Sequence, residues 1–375
     1  MGRPGGETTW AIRMSVVDRA PPYIRGISPY VPGKPITALA REMGLAVENI
    51  VKLASNENPR GMSPQARTAV EKAIAGIERY PDQFDLIAAL AERLGVAQDQ
   101  VVLGNGSNDV LDLAARVFLA PGRSAVFSQH AFAVYPLASM SAGAECLVAP
   151  AKHYGHDLAA MRAAIRPDTG VVWIANPNNP TGNFLPYAEV RKFLQDVPSD
   201  VAVVLDEAYN DYLPPADRAD TVAWIKDFPN LIITRTFSKV YGLAGLRVGY
   251  AVAAPAVADL LNRVRQPFNV NNLAIAAACA ALDDHIFVAE SYELNRHGME
   301  QIVAGLKHLG LEHIPSHGNF ITFAVADGAA VNHKLLKQGV IVRPIGGYGL
   351  PNHLRVTIGL ETENARFLAA LEKSL

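Results

Sequence analysis

The chain has 375 residues, half of them hydrophobic and 19% charged, with a formal net charge of −2. That length suggests two or three structural domains. The near-neutral balance, with no run of like charges, gives no electrostatic reason to expect nucleic acid or a membrane surface as partner. Cys146 and Cys279 stand far apart and form no CxxC pair. This argues against a disulfide framework or a zinc ribbon and for a reducing cytoplasm. No apolar stretch approaches the roughly 18 residues that span a bilayer.

In chain order, residues 1–27 lack the apolar core of a secretion signal and are expected to form an extended or disordered arm, with Met14 an alternative start. Helical periodicity is predicted over 63–77, 84–94 and 108–119. Apolar runs at 101–103, 124–128, 145–148, 171–175, 201–205, 231–236 and 248–253 read as strands. Several are apolar throughout, as in Val201–Leu205, which fits strands covered on both faces. The prediction is an α/β domain over 60–274 built on a mostly parallel seven-stranded sheet. A long helix over 283–308 then changes the rhythm. Strands at 320–325, 340–343 and 354–358 and helices near 329–337 and 362–373 suggest a smaller α+β domain, formed by 28–59 and 275–375.

Ligands in open α/β sheets bind beyond the carboxyl ends of the strands, so the residues following each run matter most. After Val101–Leu103 comes Gly104-Asn-Gly106-Ser107-Asn108, a glycine-rich entry to a helix. It serves either as an anion site or as a plain capped turn. Asp109 stands where a dinucleotide fingerprint needs its third glycine, which excludes a nicotinamide dehydrogenase. After Val171–Ala175 comes the turn Asn176-Pro-Asn-Asn-Pro-Thr-Gly182, stiff by composition. After Val201–Leu205 come Asp206 and Glu207, which point to opposite faces. Either this is an exposed acid pair, or one of them faces a buried site and requires a cationic partner. After Leu231–Phe237 come Ser238 and Lys239. A lysine at the mouth of an apolar strand is either a surface solubiliser, as most lysines are, or an amine whose pKa desolvation and nearby cations lower, and then a candidate nucleophile. His153 and His156 lack further ligands around them and read as surface residues, so no metal site is expected.

Three of these motifs together, PNNPTG, DEAY and SKxxGLAGLRxGY, resemble those of the fold-type-I aminotransferases in order and spacing, from about Tyr30 to the C-terminus. The resemblance implies pyridoxal 5′-phosphate bound covalently by Lys239, with Asp206 beneath the pyridine nitrogen. It places Asn179 and Tyr209 on the ring oxygen and Phe132 stacked on the ring. Gly106, Ser107, Asn108, Ser238 and Arg247 would surround the phosphate. Ser28-Pro-Tyr30, Ala54-Ser-Asn-Glu-Asn-Pro59, Arg79-Tyr80-Pro81, Gly318-Asn-Phe320, Val342-Arg-Pro344 and the segment Tyr348–Gly359 narrow the resemblance to the histidinol-phosphate aminotransferase group. By that match Tyr80 reaches the cofactor phosphate of a neighbouring subunit, which implies a homodimer with shared sites. Arg355, Arg343, Tyr30 and Asn319 fall in the substrate pocket. The implied reaction is transamination of L-histidinol phosphate with 2-oxoglutarate in histidine biosynthesis. The alternatives are a phenylalanine or tyrosine aminotransferase, a phosphothreonine-type decarboxylase, and a cofactor-sensing regulator without catalysis.

Overall fold

The computed structural model describes residues 15–375. The part of the expected N-terminal arm before Ser15 lies outside the described residues. Within 15–27 the chain is not simply extended, because Pro22–Arg25 closes a helical turn that packs on the helix Val134–Ser141.

All seven predicted strands of the large unit form: β1 Val101–Gly104, β2 Ser124–Ser128, β3 Glu145–Ala149, β4 Thr169–Ala175, β5 Ala202–Asp206, β6 Leu231–Thr236 and β7 Gly249–Ala253. They make one sheet in the order β1-β7-β6-β5-β4-β2-β3. Strands β3, β2, β4, β5 and β6 run parallel, and β7 is antiparallel to both of its neighbours.

Alternation decides which side chains meet which layer. Val101, Leu103, Ile174, Val203, Leu205 and Ile233 join a core with the helices Pro64–Ala73, Phe84–Leu94, Tyr187–Asp196 and Asn272–Asp283. Val102, Trp173, Val204, Ile232 and Ala251 join a second core with Ser107–Phe118, Val134–Ser141 and Pro255–Val264. The central strands are therefore buried on both faces, the reason their sequences are apolar throughout.

A second, antiparallel sheet contains β8 His313–Ile314, β9 Phe320–Ala324, β10 Arg343–Pro344 and β11 His353–Thr357, in the order β8-β9-β11-β10. Helices His285–His308 and Glu361–Glu372 pack together here, and Ile302, Leu306, Ile321, Phe323, Val356 and Phe367 fill the core.

Two expectations need correction. The predicted strand 340–343 is two pieces, since Val340–Ile341 pairs in parallel with Val51–Lys52 and only Arg343–Pro344 joins the antiparallel sheet. A domain boundary at 274/275 would cut the helix Asn272–Asp283, whose Ala274, Ile275, Ala278 and Leu282 are buried in the core of the large unit. Among the described residues no single helix is long and apolar enough to cross a membrane.

Candidate active site

The carboxyl ends of β4, β5 and β6 open into a cavity of about 390 Å³ between the two units. Tyr30, Ser107, Asn108, Phe132, Asn179, Asp206, Tyr209, Ser238, Lys239, Arg247, Arg343 and Arg355 all line it. Residues scattered over three hundred positions thus converge on one chamber.

Asp206 ends β5 and faces this cavity, only 5% exposed. Its Oδ1 accepts from the Ala208 amide at 3.2 Å and its Oδ2 from the Tyr135 hydroxyl at 2.9 Å. The cation expected near the acid pair lies on the other side. Glu207, pointing away, takes Arg235 at 2.8 Å and also accepts from Tyr187 and Thr221. Among the described residues no cation hydrogen-bonds to Asp206. Burial pushes its carboxyl up to about 6, against the opposing pull of the Tyr135 bond. A buried carboxylate so placed calls for a cationic group from outside the polypeptide.

Lys239 follows β6, its Nζ donating to the Ser55 carbonyl at 3.2 Å and lying 5.5 Å from the centre of the Tyr209 ring. Burial, followed by the Arg355 charge, brings its amine down to about 8. Tyr209 accepts a hydrogen bond from Asn56 Nδ2 at 2.8 Å, which leaves the phenol proton free to be donated elsewhere.

On another wall, Gly106 (φ 81°) caps the helix Ser107–Phe118, whose first amides have no partner within the helix. Close backbone approach is built in here, because a Cβ on Gly249 would stand 2.4 Å from the Ser107 nitrogen. Arg247, itself left-handed at φ 58°, donates from Nη1 to Ala244 O at 3.0 Å and, at 3.4 Å, to Ser238 Oγ. A helix N-terminus, two hydroxyls and a guanidinium make an anion cradle. The glycine-rich turn is therefore more than a cap.

The remaining two arginines belong to the smaller unit. Arg355, in β11, donates to Asn179 Oδ1 at 2.5 Å and to Ala54 O at 2.8 Å, while its buried Nε has no partner among the described residues. Arg343 is half-buried and donates to Val31 O at 2.8 Å and to the Tyr30 hydroxyl at 3.3 Å. Three expected residues are not part of the cavity lining: Gly106, which caps the helix behind it, Asn319 and Tyr80. Asn319 is buried behind the cavity and donates to Asn56 O at 3.0 Å, so it shapes the loop that carries Asn56. Tyr80 is 79% exposed and stacks on Phe268 with centroids 4.4 Å apart. His156 is not a surface residue, since it is buried and its Nε2 lies 2.9 Å from Ala175 O.

A family model for aminotransferase class I and II matches residues 48–371. Histidinol-phosphate aminotransferase 1 of Dechloromonas aromatica is 78% identical over 362 residues, covering 96% of this chain and all of the relative. The chain belongs to the histidinol-phosphate aminotransferase group. Histidinol-phosphate aminotransferase 2 of Nitrosospira multiformis is 61% identical, covering 96% of this chain and 93% of its own. Among solved structures, the histidinol-phosphate aminotransferase of Sinorhizobium meliloti, in complex with pyridoxal 5′-phosphate, superposes with a TM-score of 0.87 at 29% identity. It covers 94% of this chain and 96% of its own. The aspartate aminotransferase of Thermus thermophilus with maleate shares the fold, with a TM-score of 0.82 at 21% identity, over 94% of this chain and 98% of its own.

The residues of this aminotransferase fit pyridoxal phosphate on three points of its chemistry. The cradle suits the phosphate, Asp206 lacks the cation that a protonated ring nitrogen supplies, and Lys239 offers a partly neutral amine for the aldehyde. Sequence reading missed Tyr135 and Asn56. Tyr135 stands three residues after Phe132 in the helix Val134–Ser141, and Asn56 lies inside a motif that was read only as a marker.

The depressed amine gives a direct test. In the cofactor-free enzyme, carbamylation of Lys239 by cyanate should be half-maximal near pH 8, where the amine loses its proton. Peptide mass spectrometry across pH 6–11 would read this site by site, with exposed lysines as internal controls near the ordinary value of 10.5. A Lys239 midpoint matching those controls would show that the amine is not desolvated.

Proposed function

We propose that this aminotransferase moves the amino group of L-histidinol phosphate to 2-oxoglutarate, the transamination step of histidine biosynthesis, in the cytoplasm. Pyridoxal phosphate, when bound, supplies an electron sink for the pair left at the donor Cα as its proton departs. Lys239 Nζ takes that proton and returns it, which an amine near pKa 8 does well at neutral pH. Asp206 holds the ring-nitrogen proton, Tyr209 and Asn179 address the ring oxygen, and Phe132 covers the ring face. Ser107, Asn108, Ser238 and Arg247 hold the phosphate.

The observation that carries the donor assignment is a second cationic centre in the same cavity. With the Arg247 cradle assigned to the cofactor, Arg355 and Arg343 with Tyr30 remain for the substrate. Two guanidinium groups suit a donor phosphate and the carboxylates of 2-oxoglutarate in alternate half-reactions. The test compares kcat/KM for L-histidinol phosphate, phenylalanine and tyrosine. Arg343→Ala removes a charge-assisted contact of about 1.5–3 kcal/mol and should lower kcat/KM for histidinol phosphate by about one to two powers of ten. Phenylalanine, without a phosphate, should be almost unaffected. Equal losses for both donors would make Arg343 structural, and a wild-type preference for phenylalanine would overturn the donor assignment.

The active unit in this proposal is a homodimer. Tyr80 and Phe268, 79% and 53% exposed, form with Ile77 an apolar patch that asks for a cover. If Tyr80 completes the partner's phosphate site, a Lys239→Ala chain mixed with a nearly inactive Tyr80→Ala chain should regain activity, because one hybrid site carries neither defect. A fully active monomer, shown by sedimentation at assay concentration, would refute the shared site.

A further inference from the structure

Asp206 must stay charged in a dry setting, yet among the described residues no hydrogen bond to it comes from a charged group. The groups around it come from several elements. Tyr135 approaches from the helix Val134–Ser141, and Thr234 stands beside it on β6. Glu207, the Ala208 amide and Tyr209 lie at the end of its own strand, and Lys239 follows β6. Of these, only Ala208 N and Tyr135 Oη hydrogen-bond to it, one on each oxygen. The buried Thr234 hydroxyl makes no hydrogen bond of good geometry among the described residues, though its nearness helps hold the carboxyl down.

We propose that Tyr135 is a positioning residue that keeps Asp206 ionised and aims its carboxylate at the ring nitrogen of the cofactor. The inference deepens the reading of Asp206 given above and rests on it. Tyr135 is completely buried and lines the cavity. Its ring lies flat on Trp173, with centroids 5.3 Å apart and an interplanar angle of 5°, and meets Phe132 edge-on at 5.8 Å and 86°. Trp173 is itself pinned, its Nε1 donating to Ser139 Oγ at 3.1 Å. The phenol therefore has one place to put its hydrogen, on Asp206 Oδ2. Burial and the adjacent carboxylate hold the phenol pKa well above its ordinary value, so it acts as a donor throughout the working pH range. A hydrogen bond to the ionised form of a carboxyl favours that form. Because an ionised carboxylate has about four acceptor positions, the two bonds leave room for a cationic ring N–H. The edge-on contact with Phe132 ties this support to the residue assigned to cover the ring.

Tyr135→Phe deletes the hydroxyl and keeps the aromatic stack. Cofactor-free enzyme would be titrated with pyridoxal phosphate between pH 5 and 9, following tryptophan fluorescence. The dissociation constant at pH 7 should rise about tenfold, and the pH below which affinity falls should move up by about one unit. In an Asp206→Asn background the same substitution should change affinity less than about twofold, because the group through which it acts has gone. Placing 2,3-difluorotyrosine at position 135, a stronger donor of nearly the same shape, should move the midpoint down. It also preserves the test should Tyr135→Phe fail to fold. An unchanged affinity and midpoint in Tyr135→Phe, an equal loss in the Asp206→Asn background, or a difluorotyrosine shift upward would each overturn the proposal. If Asp206→Asn alone leaves affinity and turnover intact, the cofactor reading of Asp206 falls and takes this inference with it. A severe Asp206→Asn defect beside a silent Tyr135→Phe refutes the tyrosine alone.

Discussion

Lys239→Ala is expected to leave less than about one ten-thousandth of wild-type turnover. Loss of a positioned proton carrier accounts for roughly 10²–10⁴ by itself, and the nucleophile that would bind the cofactor disappears with it. Among the described residues no other amine lines the cavity. Lys239 is the lysine that lines the cavity, with Nζ held on the Ser55 carbonyl and 5.5 Å from the Tyr209 ring centre. The anion cradle and Asp206 remain, so the variant should still bind pyridoxal phosphate without a covalent link. Borohydride reduction of the wild-type holoenzyme followed by peptide mapping gives the complementary result, with the cofactor mass on the peptide containing Lys239. An adduct on a different lysine would sink the whole site assignment.

Asp206→Asn is the second large effect. The substitution preserves shape but removes the charge proposed to hold the ring-nitrogen proton. Breaking a buried ion pair by removing one partner costs about 3–5 kcal/mol, or two to four powers of ten if lost from the transition state. The pH dependence carries a sign. In the cofactor-free protein the carboxyl is neutral below pH about 6 and charged above it. Cofactor affinity of the wild type should therefore fall as pH drops through that region, and the Asn variant should lack this acid limb. A loss of less than about tenfold in kcat, or an unchanged acid limb, would show that Asp206 does not serve the ring.

The seven strands of the large sheet were legible because each is covered on both faces and so reads as an apolar run. The motif residues were legible because the sheet's topology delivers the strand ends to one cavity, where Asp206, Ser238, Lys239 and Arg247 converge. What escaped was long-range or lacked periodicity. Helix Asn272–Asp283 is alanine-rich and shows little amphipathic contrast, so nothing in its pattern marked it as part of the large unit's core. Alternation correctly separated Asp206 from Glu207, but a single strand cannot reveal that Arg235 on the next strand pairs with Glu207. The role of Asn319 as a brace for Asn56, 263 residues away, is likewise invisible before folding. Tyr135 was missed because a tyrosine near an aromatic motif looks like core until its hydroxyl is followed to Asp206.

The place of β7 bears on how the chain is made. β1, whose carboxyl end opens the glycine-rich turn of the anion cradle, pairs among the described residues with β7 alone, and β7 spans Gly249–Ala253. On a ribosome adding about 5–20 residues per second, β1 emerges on the order of ten seconds before its partner. During that wait it is an unpaired strand apolar on both faces, with no neighbour in any shorter nascent chain. The anion cradle is thus among the last parts of the large unit to assemble. A chain stopped before Gly249 should be captured by chaperones or aggregate, and it should not retain the cofactor.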